Sequence, residues 1–107
     1  MSYITIDVGM KHLAYCLISQ VGTIIGFEMI NVSGKDKVKF ICDVLTERIQ
    51  KYNIIKIIVE QQVLRNVQAM IIQNIIKTYC YINHVEFIIY NKLNKFNFQL
   101  YFSTVHS

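Results

Sequence analysis

The sequence has no apolar run that approaches the roughly 20 residues of a membrane-spanning helix. Its most apolar stretch, residues 17–27, is interrupted by serine, glutamine, threonine and glycine. The N-terminus has no basic residues ahead of its first apolar ones and carries an acid at position 7, which excludes a secretory signal. We therefore expect a protein that acts inside a cell, is not secreted and binds no membrane.

Charged residues are also scarce. They make up 17% of the 107 residues against 53% hydrophobic ones, which excludes intrinsic disorder. No linker or repeat divides the chain, so we expect one domain over residues 1–90 with an irregular, aromatic-rich tail over residues 91–107. So much apolar side chain on a short chain predicts hydrophobic surface left for a partner, or a missing part of a larger fold.

Cysteine is too sparse for a disulfide framework or a metal knuckle. Cys16, Cys42 and Cys80 are odd in number, widely spaced and set among apolar residues. We expect them to be reduced core residues. Eleven Lys and Arg against seven Asp and Glu give a formal charge of +4, the sign that polyanion binding requires.

The first third of the chain predicts an antiparallel meander. Residues 3–8 alternate and are rich in β-branched side chains until Gly9 ends the run. Two further apolar runs, residues 13–19 and 23–31, each follow a short turn.

The remainder predicts two helices that alternate with two strands. Residues 33–36 offer capping side chains for an amphipathic helix of about 17 residues, whose inner positions are Val38, Ile41, Leu45, Ile49 and Tyr52. Residues 54–60 are a β-branched run typical of a buried parallel strand. Residues 66–81 form a second helix with Ala69, Ile72, Ile75, Ile76 and Tyr79 inside, and residues 86–90 a fifth strand. The order β-β-β-α-β-α-β predicts an α/β fold with a mixed sheet.

Asp7 and Glu60 end strands that are otherwise apolar. A carboxylate there is costly to bury unless it is paired or binds a metal. Because strands one and four run in the same direction, both side chains emerge at one sheet edge, about 5 Å apart if the strands are neighbours. That spacing suits a hard cation such as Mg²⁺. The simpler interpretation, that each acid begins a loop and faces water, fits one acid better than the pair.

Two short segments carry a family resemblance. They are Asp7-Val8-Gly9-Met10-Lys11 and Val59-Glu60-Gln61-Gln62, the second followed by Arg65-Asn66. They resemble the first two active-site motifs of the Holliday junction resolvases in the RuvC-like branch of the RNase H-like superfamily. Within this branch, the motifs resemble those of the resolvases of poxviruses and other large DNA viruses and of their fungal mitochondrial relatives. The resemblance spans residues 3–90, and the element order agrees with that fold.

The resemblance implies a structure-selective endonuclease. It would hydrolyse phosphodiester bonds in four-way DNA junctions during recombination, replication or repair, with Asp7 and Glu60 as the catalytic ligands of two Mg²⁺ or Mn²⁺ ions. A junction has two-fold symmetry and takes two cuts, so the resemblance also implies a homodimer. If the protein is viral, it would act in the cytoplasm or nucleus of the host cell.

Six residues beside the two acids are candidates for contacts with nucleic acid: Gly9, Lys11, Gln61, Gln62, Arg65 and Asn66. Gly9 suits a sharp turn or a close approach to a phosphate. Lys11 either neutralises a phosphate or is simply solvated. Gln61, Gln62, Arg65 and Asn66 precede the second helix at the same edge of the sheet, where they could contact sugar and phosphate. For Asn66, capping of the helix is the favoured role.

One part of the family pattern is missing. Resolvases of this kind carry two further acids on a C-terminal helix, but no Asp or Glu follows Glu86 here. Asp36, Asp43 and Glu47 are predicted to face solvent, and Glu28 to stay away from the acidic edge. We therefore expect a truncated or frameshifted copy with weak activity. The alternatives are a non-catalytic module that binds nucleic acid or a partner, and a RuvC-like nuclease that acts on RNA or in transposition.

Overall fold

The computed structural model describes residues 1–9, 11–32, 34, 36–61 and 66–90. They form the predicted order of elements. The strands are β1 (Ser2–Val8), β2 (His12–Ser19), β3 (Ile24–Asn31), β4 (Ile54–Glu60) and β5 (Glu86–Tyr90), and the helices are α1 (Lys37–Tyr52) and α2 (Val67–Ile82). The predicted bounds of β4 and β5 are confirmed at both ends, and those of β1, β2, β3 and α2 differ by one residue at most. The tail predicted over residues 91–107 lies outside the described residues.

All five strands belong to one mixed sheet with the order β3-β2-β1-β4-β5. The consecutive strands β1, β2 and β3 pair antiparallel through short turns. β4 pairs with β1 and β5 pairs with β4, both parallel, because a helix carries the chain back to the starting end before each strand begins. The predicted parallel direction of the first and fourth strands is confirmed. The structure adds that the two strands are neighbours, so their carboxyl ends lie side by side.

Both helices cover the same face of the sheet, which we call the helix face. Ile4, Ile6 and Val8 of β1 point to this face and are at most 5% exposed. Ile57 and Val59 of β4 pair with Ile4 and Ile6 and lie in the same core. The buried helix residues of this core are Ile41, Leu45, Ala69, Ile72, Ile76 and Cys80. Side chains alternate along a strand, so the residues between these positions point to the opposite face.

The ends of α1 are defined by two capping residues. The Asp36 carboxylate accepts a hydrogen bond from the backbone N–H of Lys39 at 3.2 Å, which confirms the predicted capping. Asn53 adopts a left-handed φ of 52°, and its N–H donates to the Ile49 carbonyl. Asn tolerates this conformation better than most residues, so the helix ends here and β4 begins at once.

Two of the burial predictions are wrong in part. Val38 is 58% exposed, because in the first turn of α1 it borders a groove between the two helices and not the sheet. All three cysteines are free, as predicted, but only Cys80 is buried. Cys16 points to the opposite face of the sheet and Cys42 lines the groove, so both are half-buried. Within the described ranges, no helix is long and apolar enough to cross a bilayer.

Candidate functional site

Asp7 and Glu60 lie side by side at one edge of the sheet. Ile6 of β1 is paired with Val59 of β4 in a parallel register, and the next residue on each strand is the acid. Because Ile6 and Val59 point into the core of the helix face, both carboxylates project from the opposite face. Asp7 is exposed and Glu60 is half-buried. The fold therefore brings together the two acids that the sequence singled out, on strands about 4.8 Å apart.

Tyr90 is a third side chain at this acidic edge. It pairs in register with Glu60, and its carbonyl accepts a hydrogen bond from the Gln61 N–H at 2.9 Å, which ties β5 to the end of β4. Burial, and then the negative charges of Glu60 and Asp7, raise the pKa of the Tyr90 phenol, so it is protonated at neutral pH. Sequence analysis missed Tyr90. The available signal was its position at the end of a strand predicted to be parallel to β4.

The turn after β1 is tight and places Lys11 at the surface. The Gly9 N–H donates to the His12 carbonyl at 2.8 Å, and a Cβ on Gly9 would meet that oxygen at 3.1 Å. This close approach explains a glycine here and fits the sharp turn that was one of its two predicted roles. Lys11 is exposed, and its carbonyl accepts from the Val32 N–H at 2.8 Å. Backbone hydrogen bonds thus hold Gly9 and Lys11 in place, while the Lys11 side chain is exposed.

The second predicted contact segment is described only at its two ends. Gln61 is exposed directly after β4. The Asn66 side chain accepts from the backbone N–H of Ala69 at 3.2 Å and caps α2, the role that the sequence favoured. Gln62 and Arg65 lie outside the described residues.

The other carboxylates of the chain lie elsewhere. All seven acids fall in the described residues. Glu28 of β3 binds Arg48 on the helix face, and Glu86 stands at the far end of β5 near Lys56. The three acids of α1 and its cap are exposed, as predicted: Asp36, Asp43 and Glu47. No third carboxylate of this chain therefore reaches Asp7 and Glu60.

The two carboxylates fit one hard cation. Mg²⁺ is commonly bound through one or two carboxylates, with water and substrate phosphate completing its shell. Oxygen ligands on two adjacent rigid strands match that chemistry. Among the described residues, no group of three or more His, Cys, Asp and Glu side chains is placed to hold a metal. The donor set is thus adequate for one ion and sparse for the two ions that the resemblance implies.

No model of a known protein family and no curated protein matches the sequence. Solved structures do match. RuvC of Thermus thermophilus, solved with a Holliday junction substrate, has a TM-score of 0.73 and 14% identity over 88% of this chain and 66% of RuvC. The fowlpox virus Holliday junction resolvase has a TM-score of 0.67 and 21% identity over 85% of this chain and 62% of the resolvase.

A different class of protein shares part of the same fold. A ROK family protein of Streptococcus pneumoniae, solved with sucrose, has a TM-score of 0.58 and 14% identity. The match covers 88% of this chain and 35% of the ROK family protein. Function must therefore be argued from the site. This chain spans 62 to 66% of the length of the two resolvases. Its described residues have the same fold as these two resolvases, an α/β architecture around a mixed five-stranded sheet.

Proposed function

We propose that the protein is a metal-dependent endonuclease that cuts phosphodiester bonds in branched DNA. The observation that carries the proposal is the pairing of Asp7 with Glu60 at the carboxyl ends of two adjacent parallel strands. Both acids project from the face opposite the helices. The fold supports a junction as substrate, since a RuvC and the fowlpox resolvase of this fold were each solved with Holliday junction DNA.

Asp7 and Glu60 would hold Mg²⁺ or Mn²⁺. When bound, the ion would promote attack of water on the phosphorus and stabilise the leaving oxygen. Half-buried Glu60 is the more constrained ligand, and exposed Asp7 is open to water and substrate. Lys11 and Gln61, exposed on either side of the acids, would contact the DNA backbone. We include Gly9, Gln62, Arg65 and Asn66 in the same proposed surface.

The count of carboxylates bears on how well the site would work. With only two carboxylates, we expect weak metal binding, a need for millimolar Mg²⁺ and slow turnover. The same count favours the second candidate, a module that binds nucleic acid without cutting it. We also keep as proposals the single domain over residues 1–90 with its tail, the homodimer, and a role of viral type in DNA recombination or repair inside a cell.

Cleavage of a labelled four-way junction tests the proposal. The parent chain should be compared with Asp7→Asn and Glu60→Gln over a series of Mg²⁺ and Mn²⁺ concentrations. Each variant should lose about 100-fold or more of the cleavage rate, because each removes one of two ligands. Glu86→Gln is the matched control, since Glu86 lies at the opposite end of β5, and its rate should equal that of the parent.

The outcomes separate the two candidates. Absence of cutting by the parent at every metal concentration, with junction binding intact, would leave the non-catalytic module. Equal loss of activity in Glu86→Gln would contradict the assignment of the site. Equal affinity for linear duplex and junction across a salt series would remove structure selectivity, and faster cutting of RNA would redirect the proposal to an RNA substrate.

A further inference from the structure

Tyr90 lies in one row with the two acids across the sheet. Asp7 and Glu60 are neighbours at the ends of β1 and β4, and Glu60 pairs in register with Tyr90 of β5. Phe87, three positions earlier on β5, packs against the core of the helix face. Because side chains alternate along a strand, Tyr90 projects from the opposite face, as the two carboxylates do.

The acidic pair has different neighbours on its two sides. Ala14 of β2 pairs with Asp7 on the side away from Glu60, and its small methyl group leaves the exposed Asp7 carboxylate open to solvent. On the other side, the half-buried Tyr90 ring stands beside Glu60. A molecule that reaches the acids from the β2 side is therefore bordered by the tyrosine on the β5 side.

The Tyr90 hydroxyl stands further from the sheet than the carboxylates do. Side chains on a strand extend roughly perpendicular to the sheet, and a tyrosine side chain is longer than that of an aspartate or a glutamate. After burial, the negative charges of Glu60 and Asp7 raise the pKa of the phenol, so the hydroxyl is close enough to interact with both acids. A phosphate held over Asp7 and Glu60 would thus have the hydroxyl at its side.

The chemistry of a phenol suits this position. A lysine or arginine beside Glu60 would form an ion pair with it and compete with a metal ion for the carboxylate. A phenol has an ordinary pKa of about 10, so it is neutral at neutral pH, and it donates one hydrogen bond without adding charge. Tyr90 can therefore bind a phosphate oxygen while both acids stay available to a cation.

We propose that the Tyr90 hydroxyl donates a hydrogen bond to a non-bridging oxygen of the scissile phosphate and is a third catalytic residue. The inference rests on the proposed function, because it concerns the same site. The hydrogen bond holds the phosphate over the two acids and stabilises the negative charge of its oxygens while water attacks. The 2.9 Å hydrogen bond from the Gln61 N–H to the Tyr90 carbonyl fixes the end of the strand that carries the ring.

Tyr90→Phe removes the hydroxyl and keeps the ring, so it isolates this hydrogen bond. At saturating Mg²⁺, kcat/KM for a labelled four-way junction should fall about 10-fold or more, the effect of one hydrogen bond to a charged group. The Mg²⁺ concentration for half of the maximal rate should not change, because both carboxylates remain. Tyr81→Phe is the matched control: Tyr81 is 84% exposed on α2, beyond the helix face, and its rate should equal that of the parent.

The affinity for DNA gives a readout that does not depend on cutting. The dissociation constant for the same junction is measured in Ca²⁺, which takes oxygen ligands in a more flexible geometry than Mg²⁺. It should rise about 5-fold in Tyr90→Phe, because the bound phosphate loses a hydrogen bond. It should stay at the parent value in Tyr81→Phe, and circular dichroism verifies that both variants fold.

The phosphate oxygen can be changed as well as the hydroxyl. A phosphorothioate at the scissile position replaces one non-bridging oxygen by sulfur, a weaker acceptor of hydrogen bonds. For one of the two stereoisomers, the parent should lose more of its cleavage rate than Tyr90→Phe does, since the variant has no hydrogen bond to lose. This coupling identifies the contact, and a purely structural role of Tyr90 would not produce it.

Equal kcat/KM and equal junction affinity in Tyr90→Phe and the parent would overturn the inference. So would a higher Mg²⁺ requirement with unchanged affinity, which would mean that Tyr90 orients Glu60, or a covalent protein–DNA adduct, which would make Tyr90 a nucleophile.

These outcomes are distinct from failure of the proposed function. A parent that binds the junction without cutting it would refute the endonuclease alone, and weaker binding by Tyr90→Phe would still support the hydrogen bond. A parent that cuts, with a rate and an affinity that Tyr90→Phe matches, would refute the inference alone.

Discussion

Arg48 forms a polar cluster on the helix face, away from the acidic edge. Its guanidinium donates to both carboxylate oxygens of Glu28, at 3.0 and 3.1 Å, and to the Tyr15 hydroxyl at 2.8 Å. Tyr15 in turn donates to Glu28 at 2.5 Å. Three elements, β2, β3 and α1, are joined through these side chains. The cluster thus stabilises the outer strands of the sheet and engages an acid that could otherwise be mistaken for a metal ligand.

This cluster should make stability depend on pH in the acid range. The hydrogen bond from Tyr15 is the main factor that lowers the pKa of Glu28, and Arg48 adds to it. A carboxylate with a lowered folded pKa contributes stability above its unfolded pKa of about 4.3, and that contribution is lost as the pH falls through the folded pKa. Glu28→Gln should therefore be less stable than the parent at neutral pH and lose less on acidification.

Urea unfolding between about pH 7 and pH 3 measures this difference. Asp43→Asn is the control, because Asp43 is exposed and paired only with Lys39 at the surface. Its stability should follow the parent closely across the range. Parallel curves for Glu28→Gln and the parent would contradict the assigned role of Glu28.

At the scale of elements, local patterns were sufficient to place most boundaries. β4 is a β-branched run between a left-handed Asn53 and the acidic edge, so both its ends are marked in the sequence. On α2 the residues predicted to face inward are fully buried at Ala69, Ile72 and Ile76. Ile75 and Tyr79 are only half-buried, because they line the groove toward α1, whose position no local pattern encodes.

Asn66, at the start of α2, is a helix cap and also belongs to the proposed DNA surface, and a pair of substitutions can tell these two roles apart. Asn66 caps the helix, so Asn66→Ala should lower the free energy of unfolding by about 1 kcal/mol, whereas Asn66→Ser should keep most of it. Thermal or urea unfolding measures the difference. If Asn66 served only the proposed DNA surface, Asn66→Ala would weaken junction binding and leave stability unchanged. A loss of stability in Asn66→Ala that Asn66→Ser does not share identifies the cap.

At the scale of the whole molecule, the apolar surplus of the sequence is accounted for by two surfaces. One is the outer side of α2, where Val67, Tyr81 and Ile82 are 60%, 84% and 66% exposed. The other lies on the opposite face of the sheet, where Ile24, Phe27 and Met29 of β3 are 67%, 69% and 61% exposed. β3 is also an edge strand. Hydrophobic surface outside the core is therefore present, and its cover by a partner or by a further part of a larger fold stays a prediction.

The exposed surface of β3 should contribute to dye binding but little to stability. Phe27→Thr with Met29→Thr should reduce the fluorescence of a bound hydrophobic dye and change the free energy of unfolding by no more than about 0.5 kcal/mol, since both side chains are mostly exposed and Thr suits a strand. A large loss of stability would mean that these side chains are covered in the folded chain.

Three features can be predicted from the sequence alone: the order of strands and helices, the two acids at strand ends and the lack of a further acid after Glu86. These features depend on periodicity and on residue chemistry within short windows. The contacts between side chains are visible only in the folded chain. Tyr90 lies beside Glu60, Arg48 binds Glu28, and Val38 borders a groove. Such contacts arise from strand pairing and helix packing between segments far apart in the chain, and no local preference specifies them.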